Sequence, residues 1–189
     1  MSNRSYLYVK TPDSEEFEGL SEWAYEIPLS HILMVSGNCT KVKSHIWESD
    51  DPLALCGDFD AGYKNFFEFL DNCHQQGVLS DETFNQLSND SHEFLDKYLG
   101  KNAKVFLEVV EIFEMDDPDD FEDFDESQYE DEETAFFIYM LDDLYKNNVL
   151  NKTYLKDSLN QLKNFKEQGQ DDAIDEALGI EWDDVLFYE

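Results

Sequence analysis

The chain has 189 residues, of which 45 are Asp or Glu and 13 are Lys or Arg, so its formal net charge at pH 7 is -32. A surface of this sign repels nucleic acid and anionic membranes and attracts basic proteins. Disorder of the whole chain is also excluded, because 41% of the residues are hydrophobic and 15% are aromatic, which is enough to build a core. We expect a single globular α+β domain over residues 1–189 with a strongly negative surface.

The cysteines and the apolar runs bear on the cellular compartment. The three cysteines, Cys39, Cys56 and Cys73, are an odd number and include no closely spaced pair that could belong to a metal site. No apolar run approaches the roughly eighteen residues that a membrane-spanning helix needs, and residues 1–10 lack the basic and apolar regions of a secretion signal. We therefore expect a cytoplasmic protein with reduced thiols and no membrane partner.

Strands and one short helix are predicted in the first third of the chain. The aromatic and β-branched residues of Arg4–Lys10 are typical of a strand. Pro28 opens a short apolar helix that Gly37 closes, because Pro suits the first turn of a helix and Gly its end. Two further short strands are expected over residues 43–47 and 52–59.

Two helical hairpins are predicted in the middle and the last third of the chain. In the first hairpin, helices capped by Asp60 and Ser80 cover residues 61–99. The second hairpin comprises helices over residues 134–147 and 151–168, which also have apolar residues at helical spacing.

A shift of 71 residues aligns the second hairpin, residues 134–168, with the first. Identical residues then coincide at six positions, namely Phe66 and Phe137, Leu70 and Leu141, Asp71 and Asp142, Val78 and Val149, Leu79 and Leu150, and Phe94 and Phe165. An internal duplication would explain this agreement, but so would convergence of two hairpins on a common pattern of helix, turn and helix. Both explanations stay open.

The remaining segments complete the expected fold. Residues 104–115 combine β-branched residues, typical of a strand, with acids at every third position, typical of a helix face, and we favour a strand. A short helix over residues 171–178 and a strand over residues 185–188 end the chain. The expected α+β fold is a small mixed sheet of N-terminal and C-terminal strands, packed with the two helical hairpins.

Residues with catalytic chemistry form no recognisable site in the sequence. There is no phosphate-binding P-loop, no nucleophile elbow and no HExxH zinc motif. His74 next to Cys73 could be half of a zinc site or of a nucleophile pair, but adjacent helical residues point about 100° apart. This favours a buried Cys and an exposed His. We therefore predict that the protein is not an enzyme and has no cofactor.

Calcium binding would be another role for so many carboxylates, since the ion takes about six to eight oxygen ligands from a loop of fixed spacing. A loop that starts at Asp123 has Gln128 where the calcium loop requires Gly, and Thr134 where it requires Glu. No metal site is therefore expected.

The densest negative charge lies in a segment that we name the acidic loop, about residues 115–133, in which 12 of 19 residues are Asp or Glu. No Lys or Arg occurs between Val105 and Tyr145. The carboxylates could pair with the Lys and Arg side chains of a partner while the aromatic rings enter its pockets, although a solvated, partly disordered loop would have the same composition. The predicted partner-binding residues are Glu114, Asp116, Asp117, Asp119, Asp120, Phe121, Glu122, Asp123, Phe124, Asp125, Glu126, Tyr129, Glu130 and Asp131.

Three N-terminal patterns resemble those of a family of uncharacterised bacterial proteins. They are NRSYLY at residues 3–8, WAYEIPL at 23–29 and SGN at 36–38. The resemblance covers residues 3–58 together with EIFEM at 111–115, and it implies a bacterial origin without an assigned activity. More broadly, a small acidic protein without an active site is similar to the immunity proteins that neutralise toxins passed between bacteria.

Charge and resemblance together favour a binding protein that neutralises a basic bacterial toxin or enzyme, such as a nuclease, by occluding its active site or substrate-binding cleft. Enzymes with anionic substrates have basic clefts, which a negative inhibitor reaches quickly and closes to the substrate. The alternative is a DNA mimic, encoded by a phage or plasmid, that inhibits restriction or other defence proteins, since roughly sixteen base pairs carry thirty-two charges. Neither hypothesis includes binding of nucleic acid itself, because the chain has a single Arg.

Overall fold

A computed structural model describes residues 3–188 and shows an α+β fold, which confirms the predicted class. Within these residues, the strands are β1 Arg4–Lys10, β2 Glu18–Ala24, β3 Thr40–Val42, β4 Ala54–Asp58 and β5 Lys104–Glu108. The helices of the same part of the chain are α1 Leu29–Val35, α2 Phe59–Gln75, α3 Asp81–Leu95, α4 Val110–Phe113, α5 Glu132–Leu144, α6 Tyr154–Glu167 and α7 Asp171–Leu178. The strands form one antiparallel sheet in the order β2-β1-β5-β4-β3.

The two faces of the sheet are covered differently. Successive strand residues point to opposite faces, so Leu7, Leu55 and Leu107, which pair across β1, β4 and β5, lie on the same face. They are completely buried in the main core, to which the helices contribute. The other face carries Tyr6, against which Leu186 of the C-terminal segment packs. The C-terminal segment and the helical layer therefore lie on opposite sides of the sheet.

Several elements agree with the sequence predictions. Strand β1 and helices α1 and α7 lie where they were expected, and β4 lies within the strand predicted over residues 52–59. The strand predicted over residues 104–115 is right for its first half only, because β5 ends at Glu108 and α4 follows.

The strand predicted over residues 43–47 is wrong. The chain turns there, because the Ser44 hydroxyl accepts hydrogen bonds from the backbone N–H groups of Ile46 and Trp47 at 3.0 and 2.8 Å. The same hydroxyl donates to the buried carboxylate of Glu108 at 2.6 Å, which fixes the turn to the end of β5. The strand that pairs with β4 is β3, immediately before this turn.

The strand predicted over residues 185–188 is also wrong, and the sheet is antiparallel rather than mixed. Leu186 is buried against the sheet face, and the backbone N–H of Phe187 donates to the Glu22 carboxylate at 2.8 Å. A side-chain acceptor therefore takes the place of the backbone partner that a strand would need.

The first helical hairpin is confirmed, with one cap corrected. Ser80 caps α3 as predicted, because its hydroxyl accepts from the backbone N–H of Thr83 at 3.1 Å. Asp60 does not cap α2. That helix begins at Phe59, and the Asp60 carboxylate accepts instead from the backbone N–H of Gly100 at 3.1 Å, beyond the end of α3.

The second hairpin has a longer connection. Helix α5 continues into a π-helical turn over Tyr145–Val149 before α6 begins. Among the pairs aligned by the 71-residue shift, Phe66 and Phe137 are both buried, whereas Leu79 is buried and Leu150 is 52% exposed. The correspondence therefore holds within the first helices and is lost at the turns, and the duplication stays a hypothesis.

The neighbours Cys73 and His74 belong to different environments. Cys73 is completely buried, and burial raises the pKa of its thiol to about 12, which keeps it protonated and unreactive. His74 stacks on the ring of Phe84 and lies 2.6 Å from the carboxylate of Asp81, measured from Nε2 to Oδ1. The two side chains thus form no shared site.

Helices α1 and α2 meet at Gly62. A Cβ atom at this position would lie 1.9 Å from the carbonyl oxygen of Met34, so only Gly allows so close an approach.

We expect Gly62→Ala to lower the free energy of unfolding by about 1–3 kcal/mol, the usual cost of overpacking, in a urea titration. Lys64→Ala, on the exposed side of α2, is the control and should change the same quantity by less than about 0.5 kcal/mol. Equal stability of the Gly62 variant and the unsubstituted protein would contradict the close contact.

Candidate protein-binding site

Two short turns give the acidic loop a defined course. They are 3₁₀ turns over Pro118–Asp120 and Glu126–Gln128. Each begins after an Asp whose carboxylate accepts the backbone N–H two residues later, at 3.0 Å for Asp117 and 3.2 Å for Asp125. Some of the acids that were predicted to bind a partner therefore also hold the shape of the loop.

The aromatic rings of the loop attach it to α5. Phe121 and Phe124 are half-buried, and their ring centroids lie 5.4 and 5.3 Å from that of Phe136. Both rings also contact Tyr139. Tyr129 stacks on Phe124 but is 49% exposed. This packing gives Phe121 and Phe124 an internal role in holding the loop to α5, and it leaves about half of the Tyr129 side chain exposed.

A cavity of about 410 Å³ lies between α4, the acidic loop and the start of α5, and we name it the acidic pocket. Five carboxylates line it: Glu114, Asp116, Glu126, Glu132 and Glu133. Its apolar walls are Pro118 and the buried side chains of Phe113, Phe136 and Phe137. The acidic pocket thus combines an aromatic interior with concentrated negative charge.

The carboxylates of the acidic pocket share one cavity and repel one another. Among the ion pairs of residues 3–188, none involves Glu114 or a residue of the acidic loop. Partial burial, followed by the nearby charges of Glu111 and Glu133, raises the pKa of Glu114 above its usual value. A cation supplied from outside would relieve this repulsion.

Glu114→Gln should stabilise the protein at pH 7. Because the folded pKa of Glu114 is raised, the charged carboxylate is less favourable in the folded chain than in the unfolded chain, so the penalty appears as the pH rises. Neutral Gln removes it. We expect a modest gain in the free energy of unfolding near pH 7 that disappears below about pH 4, measured by urea unfolding across the pH range. A gain that is independent of pH, or a loss at pH 7, would contradict the electrostatic cause.

A second cavity, of about 390 Å³, lies on the neighbouring flank of α5, and we name it the outer cavity. Its lining residues are Asp51, Tyr129, Glu130, Asp131, Thr134, Ala135, Ile138, Tyr139 and Asp142. Two of these carboxylates already have partners, since Asp131 caps α5 by accepting from the N–H of Thr134 and Asp142 pairs with Lys41. The acidic pocket is therefore the stronger candidate for binding a cation.

The structure brings some of the predicted residues together and leaves others apart. Glu114, Asp116 and Glu126 line the acidic pocket. Tyr129, Glu130 and Asp131 line the outer cavity. Outside both cavities, the exposed acids of the loop are Asp117, Asp119, Asp120, Glu122, Asp123 and Asp125. Glu132 and Glu133 belong to the predicted acidic loop but were not named among its partner-binding residues. The three buried Phe side chains of the acidic pocket were missed, because the sequence has no signal for them.

One pair outside the loop has the residue types of an acid-base dyad. Nδ1 of His45 lies 2.7 Å from Oε1 of Glu108, whose side chain is 1% exposed. The backbone N–H of His45 and the hydroxyl of Ser44 also donate to this carboxylate. Because all three contacts come from one turn, Glu108 has a structural role in holding that turn.

The chemistry available to the site is that of charge and apolar contact. Within residues 3–188, no group of three or more His, Cys, Asp or Glu side chains is arranged to hold a metal ion. No helix of that part of the chain has the length and apolar character needed to cross a membrane. The exposed carboxylates can accept charge-assisted hydrogen bonds from Lys or Arg side chains.

A family model with the description Domain of unknown function (DUF7822) matches residues 9–168, a range that includes the acidic pocket and the outer cavity. Neither a curated protein nor a solved structure matches the chain. Because the match spans most of the 189 residues, the protein belongs to the family described as Domain of unknown function (DUF7822).

Proposed function

We propose that the protein binds and neutralises a basic bacterial toxin or enzyme by occluding its active site or substrate-binding cleft, as an immunity protein does. The observation that carries this proposal is the acidic pocket, in which five carboxylates accompany aromatic walls. A Lys or Arg side chain has the matching chemistry, because an apolar stem ends in a positive group. A basic partner is therefore the natural ligand of this site.

Arg fits the acidic pocket better than Lys. Its planar guanidinium pairs with carboxylates through two parallel hydrogen bonds, and the five carboxylates of the pocket provide the acceptors. Truncation of one member of a buried interfacial charge pair costs about 2–5 kcal/mol. A single Arg seated between Glu114 and Glu133 would therefore be an energetic hot spot of the complex.

The acids outside the pocket have a different effect, on the rate of association. Asp119, Asp120, Glu122 and Asp123 are exposed, so salt screens their contribution to affinity, with a Debye length of about 10 Å at 0.1 M ionic strength. Before contact, however, their summed field attracts a basic protein, and such steering raises association rates by roughly 10- to 1,000-fold. The complex should therefore form fast at low salt and more slowly as salt is added.

Occlusion of the partner's substrate-binding cleft is expected because the positive charge of such a partner surrounds that cleft. An enzyme that acts on nucleic acid or another anionic substrate concentrates Lys and Arg around its substrate-binding cleft. The acidic loop would be drawn to the same groups, so the inhibitor and the substrate would compete for one surface. Inhibition by this route requires no conformational change in either protein.

Co-purification at low salt from a bacterium that encodes the chain tests the proposal. We expect a basic protein that is released by about 0.5 M salt and whose catalytic activity is lost in the complex. Recovery of no specific partner, or of a partner that stays fully active when saturated, would contradict the proposal. A DNA mimic would instead recover restriction or other defence proteins that bind duplex DNA, so the identity of the partner separates the two hypotheses.

A further inference from the structure

A groove lies along α3, and it is separate from the two cavities beside the acidic loop. It consists of two adjoining cavities of about 460 and 600 Å³, which share Leu87, Ile180 and Glu181. Helix α3 supplies one wall, and the segment from α7 to Asp184 supplies the other. Among the described residues, none that lines this groove also lines the acidic pocket or the outer cavity. We name it the α3 groove.

Trp182 fixes the second wall against α3. Its Nε1–H donates to the hydroxyl of Ser91 at 2.8 Å. Its ring centroid lies 6.3 Å from that of Phe94 and 5.4 Å from that of Phe66. Because Ser91 and Phe66 are buried, the wall rests on the core of the protein. The α3 groove therefore exists before a ligand binds, which lowers the entropic cost of binding.

The α3 groove combines apolar and acidic side chains. Leu87 and Ile180 line both cavities together with Glu181, and they provide apolar contact in each. The carboxylates that line the groove are Glu82, Asp90, Glu93, Asp175, Glu181 and Asp184. Among the described lining residues, Lys97 is the one cation, and its ammonium lies 4.8 Å from the ring centroid of Phe94. A ligand that combines apolar and positive groups is therefore complementary to this surface.

The dimensions of the α3 groove match a docked helix. The stretch of lining residues from Glu82 to Lys97 spans roughly 20 Å, which is the length of a helix of about 14 residues. Leu87 and Phe94 are seven positions apart on α3 and hence roughly 10 Å apart, the spacing of side chains i and i+7 on a helix laid alongside. We propose that the α3 groove binds a basic amphipathic helix of a partner protein.

The proposed helix places its apolar side chains on Leu87 and Ile180 and its Lys and Arg side chains beside the carboxylates. A second copy of the chain is a poor occupant, because each copy carries a formal net charge of -32 and like charges repel. This site goes beyond the neutralising function, since it uses other residues and its occupation does not require the acidic loop.

Two synthetic peptides of about 14 Leu and Lys residues test the proposal. They have the same composition, but in one the Leu residues form a single helical face and in the other they are spread evenly around the helix. At about 0.15 M salt, fluorescence anisotropy of labelled peptide should show that the amphipathic peptide binds roughly tenfold more tightly or better. It should also shift the indole NMR signals of Trp23 and Trp182, which line the groove. Equal affinity of the two peptides, or unchanged indole signals, would contradict the proposal.

A matched pair of charge reversals separates the α3 groove from general attraction to a negative protein. Asp90→Lys combined with Glu93→Lys should weaken binding of the amphipathic peptide by roughly tenfold. Asp119→Lys combined with Asp120→Lys makes the same charge change on the acidic loop and should alter affinity by less than about twofold. All four residues are exposed, so the fold is retained in both variants. Equal weakening in the two variants would overturn the α3 groove as the site and leave the neutralising function untouched.

Discussion

Reversal of the charge of four exposed acids in the acidic loop should slow association with the basic partner by roughly tenfold to a hundredfold at low salt. The four replacements are Asp119→Lys, Asp120→Lys, Glu122→Lys and Asp123→Lys, all outside the acidic pocket. These residues cap neither a turn nor a helix, so the loop keeps its shape. The Lys side chains remove the negative field that attracts the partner to the loop. Stopped-flow mixing with the purified partner measures the association rate.

The control for this variant makes the same change in net charge elsewhere. It replaces four exposed acids of other loops, Asp13, Glu15, Glu16 and Glu48, by Lys. At about 0.1 M ionic strength, where charges are screened over about 10 Å, we expect the control to slow association by less than about threefold, because the charge that matters is local. If both variants slow association equally, the interface lies elsewhere and total charge alone governs the rate.

Phe136→Ala should lower the free energy of unfolding by about 3–5 kcal/mol, the usual cost of removing a buried Phe ring. Phe136 is 2% exposed, lines the acidic pocket and contacts both Phe121 and Phe124 of the acidic loop. Its loss should therefore also release the loop. Urea unfolding measures the stability, and hydrogen exchange of the backbone N–H groups of the loop measures its local opening.

Phe124→Ala separates the loss of stability from the release of the acidic loop. Phe124 is only half-buried, so we expect a smaller loss of stability, about 1–2 kcal/mol, with a comparable rise in hydrogen exchange within the loop. Exchange that stays unchanged in both variants would show that the aromatic contacts do not order the acidic loop.

Local signals in the sequence were sufficient for the elements that depend on them. Alternating aromatic residues marked β1, Pro28 marked the start of α1, and Ser80 marked the start of α3. In each case the physical cause lies within a few residues, in backbone geometry or in a cap that satisfies free N–H groups.

Strand β2 was not predicted, because its sequence, EGLSEWA, contains two acids and a Gly. The rest of the fold makes these acids acceptable. The hydroxyl of Tyr98 donates to Glu18 at 2.8 Å, and Arg4 pairs with Glu22 at 2.7 Å. The segment 185–188 shows the converse, since its residue types are typical of a strand, but Leu186 packs onto the sheet face without backbone pairing of the segment. Tertiary partners decide both cases, and a local pattern does not contain them.

The charge of the candidate site was predictable from the sequence, but its shape was not. The run of acids indicated residues 114–131, seven of which line the two cavities beside α5. The aromatic walls were not predictable, because Phe113 and Phe136 lie on opposite sides of the acidic loop in the sequence and meet only through packing. The same packing turned Phe121 and Phe124 inward.

The most direct test of the central claim is the catalytic activity of the captured basic partner, titrated with this protein at several concentrations of the partner's anionic substrate. We predict stoichiometric inhibition that excess substrate relieves and that develops more slowly with the fourfold Lys variant of the acidic loop. Full activity of the partner at saturating protein, or inhibition that substrate does not relieve, would contradict occlusion of the partner's cleft by the acidic loop.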